Sequence, residues 1–356
     1  MLRLHLSSPV LCAFAAAILF GASTPFAKQI IGHFSPILLA GILYLGSGIG
    51  LMIIRFIRDK GWKSSKLLYN EWPWLLSAVG FGGILGPILL MFGLLHTDAA
   101  TTSLLLNLEA VLTAILAWYL FKENADKRIM LGMCLIVVGG ILLAWPNKYL
   151  IEYSWRGPLL IAVACLCWAF DNNFTRMVSG SDPLLIAGIK GLVAGLINIS
   201  IALFFGATIP PLPILFSGLT IGFIGYGISL VLFILALRGL GTARTGAYFS
   251  TAPFIGAAIA ILFFQAPTSI LFWMASILMG IGVYLHLTER HEHQHTHEPL
   301  FHEHYHYHDE HHQHEHDFPW DASKPHSHPH QHQAITHSHP HYPDIHHHHK
   351  HTKNKE

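Results

Sequence analysis

Charge is what this chain has least of. Only 12% of its 356 residues are Asp, Glu, Lys or Arg, and 52% are hydrophobic, whereas soluble domains carry roughly 25% charged residues. That balance excludes an ordinary soluble globular protein. Cysteine is scarce too. Cys12, Cys134, Cys165 and Cys167 all fall in apolar runs, so they read as small buried hydrophobes and not as a disulfide framework or a metal motif. Cys165 and Cys167 stand two apart and point to different faces of a helix. No nucleophile–base pair or cofactor motif stands out, which argues against an enzyme. Histidine is missing from the middle of every apolar run.

What is present is a series of long apolar stretches followed by a polar tail. A membrane-crossing helix needs about 20 apolar residues to cross a core of roughly 30 Å. Ten such spans are expected, near 9–32, 35–57, 73–95, 99–121, 128–146, 157–178, 183–206, 213–236, 242–264 and 268–288. The first is too long for a signal peptide and leads straight into the next, so it reads as a helix that stays. With the N-terminus in the cytoplasm, the inward segments collect Arg3, Arg55, Arg58, Lys60, Lys63, Lys66, Lys122, Lys127, Arg128, Arg176, Arg238, Arg244 and Arg290, and the outer loops keep only Lys148 and Arg156. The positive-inside rule therefore places both termini in the cytoplasm of a multi-pass inner or plasma membrane protein.

The two halves echo each other. LFGASTPFAK at 19–28 matches CWAFDNNFTR at 167–176. Pro36 with the later AGI matches Pro183 with a second AGI, and residues 99–121 align with residues 242–264. Five spans per half is an odd number, so the second copy starts from the opposite side of the membrane. The expected fold class is thus an all-α membrane protein with ten transmembrane helices as two inverted five-helix repeats, plus a disordered cytoplasmic tail. The expected domains are residues 1–148, 149–290 and 291–356. Inverted repeats are an architecture of many secondary transporters.

On these residues the chain resembles the EamA type of the drug/metabolite transporter superfamily. The resemblance covers residues 9–288 and rests on ILFGASTPFAK, SLLLNLEAVLTAILAWYLFKE, GMCLIVVGGILL, CWAFDNNFTR and GLGTARTGAYFSTAPFIGA. It implies a ten-helix bundle of two inverted halves and secondary transport, commonly export, and it implies no particular solute. The family often has Glu-Pro where this chain has Glu109-Ala110, while the second half keeps Ala252-Pro253.

An ionisable side chain inside a span is costly and marks a functional hypothesis. Glu109 lies near the middle of span four. Asp171 lies seven residues before the end of span six at 178, and Lys190 seven residues after the start of span seven at 183. At 1.5 Å per residue both sit roughly 10 Å deep, so they are expected to meet, as a structural ion pair or as part of a substrate or proton site. Glu109 is expected to be protonated, bonded to Asn107 or a neighbouring helix, or proton-coupling. The candidate substrate or coupling residues are Glu109, Asp171, Lys190, Asn172 and Asn173. The runs GFGGILG at 80–86 and GFIGYG at 222–227 permit close packing or bending. His33, His96 and Asp98, at the outer ends of spans, read as interfacial polar residues, with an extracellular metal site as the alternative.

Most of the 28 histidines lie beyond residue 290. Such a segment has too few aliphatic residues to build a core. Imidazole suits Zn, Ni, Cu and Co, and neighbouring carboxylates can bond its free ring nitrogen. The candidate metal ligands are His291, His293, His295, His297, His302, His304, His306, His308, His311, His312, His314 and His316. Two functional readings compete. In the first, the bundle exports a small organic solute, anionic or zwitterionic, and the tail buffers or senses metal. In the second, the bundle exports Ni, Co or Zn and the tail feeds it. Lys190 would oppose a divalent ion, which favours the first. A membrane-anchored metal store is the third reading, and it would not need ten spans. Transport itself requires no cofactor. Expected partners are the lipid bilayer, a small-molecule solute and transition-metal ions, not nucleic acid, and a homodimer is compatible with all of this.

Overall fold

The computed structural model describes residues 8–62, 67–121, 127–145 and 155–288, and in the tail residues 292–296, 300–306, 326–332 and 336–340. The chain divides into two units, Met1–Glu289 and Arg290–Glu356. The first unit is helical. Its helices in order are α1 (Ser8–Ile30), α2 (Pro36–Asp59), α3 (Trp72–Ala78), α4 (Gly86–Leu95), α5 (Ala99–Leu105), α6 (Leu108–Phe121) and α7 (Lys127–Leu143). Then come α8 (Arg156–Val178), α9 (Pro183–Phe204), α10 (Leu212–Ile221), α11 (Ser229–Phe249), α12 (Ala252–Phe264) and α13 (Ile270–Leu287).

Nine helical stretches among the described residues are long and apolar enough to cross a membrane, which makes this a multi-pass membrane protein. The expected fifth span, 128–146, corresponds to α7, which has 17 residues. At 1.5 Å per residue that is about 25 Å, less than a full hydrocarbon core. It is an apolar helix shorter than the other nine stretches.

Helix starts follow local chemistry. The Ser35 hydroxyl accepts from Leu38 N (3.3 Å) ahead of Pro36, and the Asp98 carboxylate accepts from Thr101 N (2.8 Å). Asp182 accepts from Leu184 N (3.2 Å), and Ser269 from Phe272 N (3.1 Å). Each satisfies one of the backbone N–H groups that a first turn leaves without a partner. Asp98, read from sequence as an interfacial residue, is thus a helix cap.

Two spans are interrupted by π-helical turns, Val79–Leu85 between α3 and α4 and Gly222–Ile228 between α10 and α11. Two further breaks fall at Leu106–Asn107 and at Ser250–Thr251. The second precedes Pro253, which takes an early position in α12. The first occurs without any proline. α2 and α9 approach backbone to backbone: Gly48 lies against Gly191 and Leu192, and Gly195 against Leu45. Small residues allow that closeness, which lipid-embedded helices use in place of a hydrophobic driving force.

In the tail, the described residues form four short strands, β1 (Glu292–Thr296), β2 (Leu300–His306), β3 (His326–His332) and β4 (Thr336–Pro340). β1 pairs antiparallel with β4, and β2 with β3. This differs from the expected disorder. The alternation of His with another residue has the period of a strand, and the register sets His302, His304 and His306 opposite His330, His328 and His326.

Candidate functional site

A charged cavity of about 60 Å³ lies inside the helical unit, with room for a few waters. Glu109, Asp171, Asn172 and Lys190 line it together with aromatic rings. Its walls come from both halves of the sequence, α1, α2 and α6 on one side and α8, α9 and α11 on the other.

Lys190 and Asp171 do meet. Lys190 Nζ donates to both carboxylate oxygens, at 2.5 Å to Oδ1. The residues are 1% and 5% exposed. Asp171 Oδ1 also accepts from Thr175 Oγ1 (3.0 Å), one turn along α8. The geometry follows from the short α8–α9 connection, which sets the two residues at matching depth.

Glu109 is 9% exposed. Its Oε1 accepts from Asn172 Nδ2 (2.8 Å), and the same amide reaches Thr113 Oγ1 (3.3 Å). The partner is therefore on the neighbouring helix. Asn107, the other expected partner, donates to Leu104 O (3.2 Å) and stays within its own turn. Asn173 does not join the site. It is fully buried and donates to Ala169 O (2.8 Å) and Thr113 O (3.4 Å). Trp168, Asp171 and Asn172 cover one face of α8, and a further step of about 100° carries Asn173 past the edge of that face.

Sequence reasoning missed the aromatic wall. Tyr44, Trp168, Tyr226, Phe20 and Phe249 all line the cavity. Phe20 packs on Trp168, Tyr226 and Phe249 with ring centroids 6.0, 5.7 and 5.3 Å apart, and Tyr44 lies 5.4 Å from Tyr226. Sequence reading also missed what the π turns do. A π turn widens the helix and leaves a carbonyl without its usual partner. Here Gly82 O accepts from Tyr44 Oη (2.6 Å) and Trp168 Nε1 (3.0 Å), and Gly83 O accepts from Asn198 Nδ2 (3.1 Å). Gly82 also lies against the Asp171 carboxylate, so that a Cβ there would collide with it. The glycine-rich run GFGGILG is therefore part of the site's wall. The signal that could have found it is a glycine cluster facing an intramembrane carboxylate.

The α8–α9 connection is held from several directions. Arg58 binds Asp182 in a two-point contact (Nη1–Oδ1 3.0 Å, Nη2–Oδ2 2.6 Å), and Arg55 Nε reaches Asp182 Oδ2 (3.2 Å). Arg238 donates to Ser179 O (2.9 Å) and Ser181 O (2.6 Å). Burial raises the Asp182 carboxyl, but hydrogen bonds from Arg58 and Arg55 outweigh it and hold it below the ordinary carboxylate value.

Among the sequence-derived metal ligands, His293 and His295 fall in β1 and His302, His304 and His306 in β2. His291, His297, His308, His311, His312, His314 and His316 lie outside the described residues.

Apolar membrane-crossing helices around a small charged cavity define a membrane transporter. The chain belongs to the EamA-like transporter family, whose model matches residues 7–145 and 155–288. It is 28% identical over 285 residues to an uncharacterized transporter of Methanothermobacter thermautotrophicus, covering 76% of this chain and 83% of that one. It is 23% identical over 214 residues to a protein of Salmonella typhimurium named "Probable amino-acid metabolite efflux pump", covering 58% and 62%. A crystal structure at 18% identity superposes with a TM-score of 0.62 over 79% of this chain and 96% of that chain, a likeness of fold alone.

Proposed function

We propose that the protein is a secondary transporter that exports a small organic solute across the inner or plasma membrane by alternating access, with the Glu109–Asn172 and Asp171–Lys190 pairs forming its solute and coupling site. The observation that carries this reading is the cavity itself. It gathers Glu109 from the first matched segment, residues 7–145, and Asp171, Asn172 and Lys190 from the second, residues 155–288. Such groups are expensive inside a bilayer and are retained where they handle a solute or a proton.

The architecture in this reading is ten spans in two inverted five-helix repeats, with α7 as the short fifth span. The paired π turns at Val79–Leu85 and Gly222–Ile228, and the paired breaks at 106–107 and 250–251, support it. They recur at corresponding places in the two matched segments. Both termini face the cytoplasm, in keeping with the distribution of Lys and Arg.

An organic solute fits the site better than a metal ion. Lys190 stands beside Asp171 and repels a divalent cation, whereas an anionic or zwitterionic solute can compete for its ammonium. The name of the Salmonella relative points the same way. Metal belongs to the tail in this reading, where the histidine-rich residues 291–316 bind Zn, Ni, Co or Cu as a buffer or sensor. Metal efflux is the second reading, and the histidine density of the tail is what favours it.

The test is efflux from proteoliposomes that hold the full-length protein and a defined mixture of radiolabelled amino acids. Wild type should release label, and Lys190→Met should not. Equal release from both would remove the pair from the mechanism.

A further inference from the structure

Tyr226 sits in the second π turn, is 5% exposed, and lines the cavity. Its hydroxyl completes no hydrogen bond. Ser23 is the hydroxyl beside it; the Ser23 proton goes to Phe20 O (2.6 Å), and no hydrogen bond of ordinary geometry joins its oxygen to Tyr226. The contrast with Tyr44 is instructive. The two rings lie 5.4 Å apart on the same wall. Tyr44 donates to the carbonyl freed by the first π turn, whereas Tyr226 is carried by the second π turn and its hydroxyl completes no hydrogen bond of ordinary geometry. A buried polar group left in that state costs about 1–3 kcal/mol, and a tyrosine hydroxyl usually finds a partner when buried. The other polar groups of the cavity are occupied by one another: Lys190 by Asp171, Asn172 by Glu109, Trp168 by Gly82 O.

We propose that Tyr226 is a specificity-determining residue whose hydroxyl donates a hydrogen bond to an acceptor oxygen of the transported solute. This rests on the cavity being the solute site. The solute class is then a small molecule with a carbonyl, carboxylate or hydroxyl oxygen placed to meet the aromatic wall. A solute lacking that oxygen leaves the hydroxyl without a partner and is rejected, since sites built around a buried hydrogen bond discriminate strongly against analogues that lack it. Tyr44 is a positioning residue: its bond to Gly82 O fixes the ring against which Tyr226 packs.

The experiment uses full-length protein carrying Tyr226→Phe, which removes one oxygen atom and nothing else. Two readouts are taken. The first is thermal unfolding of the purified protein in detergent without added solute. Tm should stay the same or rise, because the hydroxyl completes no well-formed hydrogen bond in the fold. A clearly lower Tm would show that the hydroxyl serves the fold and would overturn the proposal. The second is release of the labelled amino-acid mixture from proteoliposomes. KM should rise about tenfold with the maximal rate retained, the loss of one hydrogen bond. An unchanged KM in a variant that still transports would also overturn it. If wild type moves none of the mixture, the amino-acid form of the functional reading fails, and the unfolding readout still judges Tyr226.

Discussion

Lys190 grips both oxygens of Asp171 at a site where each residue is almost wholly buried, and Gly82 closes over the carboxylate from a third helix. A buried ion pair of this kind stabilises little by its presence, yet removal of one partner is costly because the other charge is left uncompensated. Asp171→Asn and Lys190→Met alone should each destabilise the protein by about 3–5 kcal/mol. The double variant should be more stable than the sum of the two single changes implies. Thermal unfolding of all four proteins closes the cycle. Additive losses would show that the pair is not energetically coupled.

Gly82→Ala places a methyl group where the Asp171 carboxylate lies. The carboxylate must shift, and so must the carbonyl that holds Tyr44 and Trp168. A cost of about 1–3 kcal/mol is expected from overpacking, with transport reduced. Gly80→Ala makes the comparison, since nothing lies near an added Cβ there. Equal Tm values for the two variants would contradict the close approach described at Gly82.

Much of this was legible in the sequence. The apolar runs located the helices, and equal counting from the ends of spans six and seven located the Asp171–Lys190 pair. Glu109 stood out as a lone carboxylate in an apolar run. Its Asn172 partner did not, because two residues on different helices with no fixed loop between them have no readable register. The π turns were invisible for a related reason. One extra residue in a helical turn leaves composition unchanged, so GFGGILG could be read only as close packing or bending. The aromatic wall was missed because Phe, Tyr and Trp in an apolar span face lipid as readily as they face a cavity. In the tail, composition argues for disorder, and the pairing of β1 with β4 and β2 with β3 joins residues far apart in the sequence.

Asp182 gives the pH dependence. Its carboxyl is held below the ordinary value by Arg58 and Arg55 after burial is offset. A group whose folded value is depressed stabilises the protein above its unfolded pKa, about 3.9 for Asp, and loses that contribution as pH falls through the folded value. Wild-type Tm should therefore fall on acidification below about pH 4. Asp182→Asn should have a lower Tm at neutral pH and a flatter acid limb. Parallel curves for the two proteins would show that the Arg58–Asp182 contact adds no stability.

Glu109→Gln keeps a group that can accept from Asn172 while removing the carboxyl that can take up or release a proton. The protein should fold with wild-type Tm and transport at a small fraction of the wild-type rate, if Glu109 handles a proton or a solute cation. Asn172→Ala should act in the same direction more weakly, because Glu109 keeps its carboxyl group but loses the Asn172 amide. Full transport by Glu109→Gln would reduce Glu109 to a packing residue.

The most direct measurement sets the organic and metal readings against each other in one preparation. Proteoliposomes carrying either full-length protein or residues 1–290 are loaded with labelled amino acids in one set and with radioactive nickel in another, and release is followed with and without Glu109→Gln. The account predicts release of organic label by both proteins, dependent on Glu109, and no release of nickel. Nickel release by the full-length protein that weakens when residues 291–356 are removed would contradict it and make the tail the feeder of a metal exporter.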